Sequence, residues 1–386
     1  MALTADTVRR ALAEVLQPRD PDAPATVLGA GTDDLDAGRT YLGALAGGGW
    51  FVPTWPEEYG GRGASADEAA VIARELSTFA APDLYPYLVG LALVGPTLIG
   101  HGTPEQCRRL LPAIATGEEI WCQLFSEPEA GSDLANLATR ATRDGDVWRV
   151  TGSKVWSSRA HYSRWGWLLA RTDAAVPKHA GITAFVVDMH APGVDVRPLR
   201  QMNGDTHFNE VYFTDTVVPD DGRVGEVGGG WRVALTTLAF ERGGGSAAGG
   251  GWSLGPDRLL ALAHERGAVD PVRRDQLARV WVQAETARLT GRRARGGAPG
   301  PAGSGAKARA SATMKAIAGT ALALRGADAL LAGDEWHTLF LTAPSISIRG
   351  GTDEIQRNIV GERVLGLPGE PRLDRDVPWR EQFGGK

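Results

Sequence analysis

The sequence predicts an α+β protein whose helices and strands are kept apart along the chain, as a helical first third, a compact all-β middle and a helical last third. Three observations carry that prediction. Helical periods with start signals fill the first 120 or so residues; short runs of β-branched and aromatic residues, separated by turn residues, occupy roughly 121–225; helical patterns return from about Trp231. At roughly 150 residues per domain, a chain of 386 residues divides into two or three domains. The composition shifts place the expected boundaries at 1–120, 121–225 and 226–386.

In the first third, Ser65 followed by Glu68 forms a capping box ahead of Ile72, Leu76 and Phe79 at helical spacing. The apolar stretch Tyr85 to Gly100 contains Pro86 and Pro96 and falls short of the roughly 18 residues a membrane span needs, so it reads as a buried helix. Thr103, Pro104 and Gln106 repeat the start signal before Leu110, Leu111 and Ile114, with proline where its missing N–H is not needed. Strands are expected at Val147 to Trp156, interrupted by Thr151-Gly152-Ser153, and at Trp165 to Ala170, Ile182 to Asp188 and Phe208 to Phe213. The final helices run to Leu365, where Gly366 and Pro368 form a stop signal. Two glycine-rich stretches interrupt them. Gly243 to Gly251 follows Phe240-Glu241-Arg242 and is expected to break its helix or widen a neighbouring pocket; Arg295 to Gly305 has the composition of a mobile connector.

Composition narrows the function. With 43% hydrophobic and 23% charged residues, disordered and fibrous chains are excluded. A net charge of −5 argues against a nucleic-acid binder, which needs a concentrated basic face. Cys107 and Cys122 are too few for a disulfide framework or a thiolate metal site, and the start lacks the basic and apolar regions of a signal peptide, so the expected location is the cytoplasm. His161, His207 and His337 show no metal-ligand spacing with nearby carboxylates, and no metal is expected. Ser126, Ser132 and His161 lack the nucleophile-elbow pattern of a hydrolase.

Three polar clusters stand out: Ser126 to Asp133 (SEPEAGSD), Lys154 to Ser158 (KVWSS) and Gly350 to Asn358 (GGTDEIQRN). Small residues in such clusters let backbone approach a ligand, while hydroxyl and N–H groups donate to it. Together with Trp55-Pro56-Glu57-Glu58-Tyr59-Gly60-Gly61 and Phe240-Glu241-Arg242, they give a chain that resembles the acyl-CoA dehydrogenase family over essentially its whole length. The resemblance implies an N-terminal helical domain, a middle β-barrel-like domain and a C-terminal four-helix bundle. It also implies non-covalently bound FAD and a homo-oligomer, dimer or tetramer.

Carried over residue by residue, the resemblance gives Phe125 (backbone) and Ser126 (hydroxyl) as donors to the pyrimidine side of the flavin, Trp156 against the ring and Ser158 near its reactive nitrogen. Ser132 would meet the pantetheine arm, Arg242 the substrate pocket, and Thr352 with Glu354 the diphosphate or ribose of FAD. The chain departs from many relatives in having Gly350, not glutamate, before Gly351-Thr352. A smaller group supplies the catalytic carboxylate from the helix that here holds Phe240-Glu241-Arg242, which makes Glu241 the candidate base. Gly350 keeps a backbone N–H able to polarise a thioester oxygen. Two family motifs at the adenine end of FAD, Arg-x-x-Phe-Gly and Gln-x-x-Gly-Gly, are not intact between Asp257 and Gly333.

The implied reaction is α,β-desaturation of an acyl thioester carried on CoA or a carrier protein, with electrons passed to an electron-transferring flavoprotein. Two alternatives remain open at this level: a flavin monooxygenase of the same fold, and a non-catalytic subunit of a mixed assembly, the latter motivated by Gly350.

Overall fold

The computed structural model describes residues 3–20, 33–244, 255–267, 270–295, 301–331, 333–371 and 373–382. The first third is helical: α1 (Ala5–Ala13), α2 (Leu35–Ala46), α3 (Ala66–Leu76), α4 (Gly95–His101) and α5 (Pro104–Thr116). Both capping boxes form. Ser65 accepts from the Glu68 amide at the start of α3, and Thr103 and Gln106 exchange the same bonds at α5, with Pro104 at the head of the helix.

The apolar stretch expected as one helix is three helical geometries in succession: a 3₁₀ turn at Tyr85–Tyr87, a π-helical segment at Val89–Val94 and then α4. The Gly95 amide reaches back to the Gly90 carbonyl, and Pro96 has no amide to continue the ladder. Proline here changes the winding without ending the helix.

The middle third is one eight-stranded sheet. Its strands are β1 (Trp121–Leu124), β2 (Arg140–Asp144), β3 (Val147–Ser158), β4 (Trp165–Arg171), β5 (Ile182–Asp188), β6 (Val194–Leu199), β7 (Phe208–Pro219) and β8 (Arg223–Val224). They lie in the order β6-β7-β3-β2-β4-β5-β8, with β1 parallel to β4. The expected break at Thr151-Gly152-Ser153 is instead a bulge in a continuous β3, which pairs β7 with register shifts between Val150 and Gly152 and between Lys154 and Ser157. A Cβ at Gly152 would lie 2.6 Å from the Thr139 Cα, so glycine is what lets the chains approach there.

The last third holds α6 (Gly230–Gly244), α7 (Pro256–Glu265), α8 (Pro271–Arg295), α9 (Ala302–Arg325), α10 (Glu335–Ile346), α11 (Asp353–Arg363) and the short α12 (Trp379–Gln382). The α+β class and its helix, sheet, helix order hold. Two helical cores divide the work. Leu259, Leu277, Met314 and Leu339, from α7, α8, α9 and α10, pack together. Val233 and Ala234 of α6 instead join the core built on Leu98, Leu110, Trp121 and Trp167. Thr237 fixes α6 there, meeting the Thr97 hydroxyl at 3.2 Å and accepting from Trp167 Nε1 at 3.1 Å.

The expected connector is shorter than its composition indicates, because α8 continues through Arg295 and α9 begins at Ala302, making Gly303 and Gly305 helical. Of the run Gly243 to Gly251, Gly243 and Gly244 close α6, and the rest lies outside the described residues. Among the described residues, no helix is long and apolar enough to cross a membrane.

Candidate active site

The SEPEAGSD and KVWSS stretches are locked to each other. The Val155 amide donates to the Ser126 carbonyl at 2.9 Å, and Lys154 Nζ donates to the Phe125 carbonyl at 3.1 Å and to Glu127 Oε1 at 2.7 Å. Glu127 also accepts from the amides of Ala138 at 2.6 Å and Thr139 at 2.9 Å. Burial alone would raise the Glu127 carboxyl, but Lys154 and these amides outweigh it and hold the group below the ordinary carboxylate value. Lys154 has no exposed surface, and desolvation pushes its ammonium down despite the pairing. Sequence reasoning assigned neither residue a role. Their place in two of the three motifs was the available signal.

This lock fixes the backbone that presents Phe125, Ser126, Trp156 and Ser158. Phe125 is buried, and Ser126 and Ser158 are half-buried. Trp156 is 60% exposed and adopts φ 62°, with its ring edge-on to Phe208 at 5.9 Å. The bulge between Lys154 and Ser157 re-aims it off the sheet. A large aromatic that is exposed and held in the left-handed region is not serving a core. Ser132 is exposed, beside Asp133, which pairs with Lys178 at 3.0 Å.

A second group forms between α6 and the loop ahead of α11. Gly350 and Gly351 have φ of 66° and 80°, a conformation that favours glycine. Their carbonyls are held from two helices: Gln356 Nε2 donates to the Gly350 oxygen at 2.9 Å, and Lys307 Nζ of α9 donates to the Gly351 oxygen at 2.8 Å and to Asp353 at 3.1 Å. The Gly350 N–H meets no acceptor among the described residues. The Glu241 carboxylate lies against this loop. A Cβ at Gly350 would sit 3.3 Å from Glu241 Oε1.

Thr352 caps α11, accepting from the Ile355 amide at 3.2 Å, and Glu354 is exposed with Arg357 at 3.6 Å. Glu241 and Gly350 are therefore brought together, as are Phe125, Ser126, Trp156 and Ser158; Thr352 and Glu354 sit apart at the helix start. The Arg242 side chain lies outside the described residues. A pocket joins the two groups, lined by Tyr85, Arg159, Phe208 and Arg349 among others. Phe208 touches Trp156 on one side, and Arg349 precedes Gly350 on the other. His207, expected to be structural or superficial, also lines this pocket.

A helical domain, a sheet domain and a helical bundle, with a carboxylate and an exposed aromatic facing one pocket, define the class, and comparison gives it a family. The chain matches the acyl-CoA dehydrogenase N-terminal domain over residues 2–118, the middle domain over 122–216 and the C-terminal domain over 228–365. It belongs to the acyl-CoA dehydrogenase family of flavoprotein oxidoreductases.

It is 44% identical over 332 residues to acyl-CoA dehydrogenase FadE34 of Mycobacterium tuberculosis, covering 84% of this chain and 46% of that protein. The chain thus spans less than half the length of that relative. Over 353 residues it is 40% identical to acyl-CoA dehydrogenase IpdE1 of the same organism, covering 86% of this chain and 89% of that one. Among solved structures, the Tcur3481-Tcur3483 steroid ACAD superposes with a TM-score of 0.75 at 29% identity, covering 95% of this chain and 94% of that one.

Proposed function

We propose that the protein introduces an α,β double bond into an acyl thioester, with Glu241 as the base that removes the α-proton. One observation carries this reading: the Glu241 carboxylate approaches to 3.3 Å the point from which a side chain at 350 would start. The carboxylate missing from the loop is supplied from α6 to the same space. Removing a proton next to a thioester at neutral pH needs a carboxylate shielded from bulk water, and Glu241 is partly buried between helix and loop. The Gly350 N–H, held in place by the bonds on its own carbonyl and on Gly351, is a donor for the thioester oxygen as charge develops there.

FAD, when bound, supplies the acceptor for the hydride that leaves the β-carbon. Exposed Trp156 with the adjoining Ser126 and Ser158 hydroxyls and the Phe125 amide fit the ring of such a group, and the Lys154–Glu127 pair keeps them in register. Thr352 and Glu354 would hold its diphosphate or ribose. Ser132 would meet the pantetheine arm of a CoA or carrier-protein thioester, and Arg242 would support the substrate pocket.

Gly350 leaves open the space a side chain would fill, which favours a bulky acyl group, as the steroid named for the Tcur3481-Tcur3483 structure would be. That paired name also supports assembly with a second, different chain as an alternative to a homo-oligomer. An electron-transferring flavoprotein is the proposed acceptor. The test is anaerobic mixing of the FAD-loaded protein with straight, branched and polycyclic acyl-CoAs while flavin absorbance is followed. Bleaching by at least one of them is expected; none by any of them, with FAD bound, contradicts the reading.

A further inference from the structure

We infer that the acyl group this site accepts carries an acceptor oxygen, a carbonyl or a carboxylate, away from its thioester, and that Arg349 and Gln201 bind that oxygen. This rests on the acyl-thioester reading above and adds the substrate's polarity to it. The pocket that adjoins the Glu241–Gly350 contact is lined by Tyr85, Arg159, Gln201, His207, Phe208 and Arg349, among others. A plain alkyl chain is matched by an apolar lining, and every buried polar group left facing it without a partner costs free energy. Here the wall is mostly polar.

The direction of the donors decides what fits. Gln201 Nε2 and His207 Nε2 are buried and meet no hydrogen-bond partner among the described residues. An amide nitrogen only donates, so the group that satisfies Gln201 is an acceptor. Arg349 adds a guanidinium on the same wall, with Nη1 3.5 Å from the Tyr85 hydroxyl. A guanidinium donates and never accepts.

The nearby acidic groups are turned elsewhere. Asp33 takes both ends of Arg159 at 2.9 and 2.8 Å and accepts from Tyr162 at 2.5 Å, while Asp205 accepts from Asn203 at 2.7 Å. Asp33 and Asp205 each stand 3.7 Å from a His207 ring nitrogen. Arg159, engaged by Asp33 and stacked over Tyr85 at 4.4 Å, serves as wall. The pocket thus offers a donor face from Arg349 and Gln201. Because Arg349 directly precedes Gly350, that face begins where the α-carbon would be held.

The experiment compares acyl-CoAs of equal length in three forms, unsubstituted, ω-oxo and ω-carboxyl, by the kcat/KM of flavin bleaching in the FAD-loaded protein. At least one oxygenated form is expected to exceed the unsubstituted one by about tenfold or more, mainly through KM, the discrimination one well-placed donor pair provides. In Arg349→Met that ratio falls about tenfold, and in Gln201→Leu severalfold, with FAD content as the check on folding. A ratio that falls mainly for the carboxyl form identifies an anionic group; an equal fall for both identifies a shared acceptor oxygen.

If Arg349→Met does not fold, Gln201→Leu carries the test. Equal use of all three forms, or a ratio unchanged in the variants, overturns this inference and leaves the desaturase reading standing. Failure of every acyl-CoA to bleach the flavin overturns both.

Discussion

Replacing Lys154 by methionine tests whether the two ring-side motifs are held together by a buried charge pair. Lys154 has 0% of its surface exposed and Glu127 7%. In the variant Glu127 keeps the Ala138 and Thr139 amides but loses its only cation, and the Phe125 carbonyl loses its donor. Removing one partner of a buried pair costs about 3–5 kcal/mol, and the lost bond to Phe125 adds about 1 kcal/mol.

The pH dependence gives the effect a signature. In the native chain the folded Glu127 carboxyl is held below its ordinary value of 4.5, so its stabilisation is complete above that value and is lost as the pH falls through the folded one. Without Lys154, burial acts unopposed and the folded carboxyl rises above its unfolded value. The variant then binds a proton on folding, and its deficit shrinks as the pH is lowered. Urea unfolding of the FAD-free protein at pH 8 and pH 5.5, followed by tryptophan fluorescence, should show a large loss at pH 8 that narrows at pH 5.5. A loss below about 1 kcal/mol, or one independent of pH, would refute the reasoning.

Trp156→Ala should change stability by no more than about 0.5–1 kcal/mol, because the ring is largely exposed, while lowering FAD retention on gel filtration about tenfold. A loss of about 3–5 kcal/mol would instead mark a core aromatic. Asp33→Asn leaves the nearly buried Arg159 without its carboxylate and should cost about 3–5 kcal/mol at pH 7. Burial raises the Asp33 carboxyl, but Arg159 and Tyr162 outweigh it and hold it below its ordinary value, so the native chain loses this contribution as the pH falls below about 3.8; acid unfolding of the variant should be correspondingly flatter. Gly351→Ala forces a Cβ into φ 80° and to 2.5 Å from Gln356 Nε2, and thermal unfolding should show a loss of about 2 kcal/mol or more.

The sequence made local signals legible and long-range ones invisible. Ser65 with Glu68 and Thr103 with Gln106 act within four residues, so their capping boxes could be read directly. Gly152 was read as a break because glycine interrupts a strand pattern in either case; whether it ends the strand or bulges depends on Thr139, which comes from elsewhere in the chain. Pro96 likewise changed the winding of its helix without ending it. The family motifs marked both halves of the candidate site, and Glu241 was chosen by its position in one of them.

What no local pattern could show is that Glu241 would reach Gly350, since that contact depends on Thr97 and Trp167 anchoring α6 and on Lys307 and Gln356 holding the glycine loop. The Asp33–Arg159 pair spans 126 residues and was equally hidden.

Glu241→Gln most directly tests the account. The variant keeps the size and the contact with the glycine loop but removes the base. With FAD content unchanged, anaerobic flavin bleaching by the best acyl-CoA should slow by about 10²–10⁴-fold, the usual contribution of a positioned general base. Bleaching at the wild-type rate would place the base elsewhere and contradict the assignment.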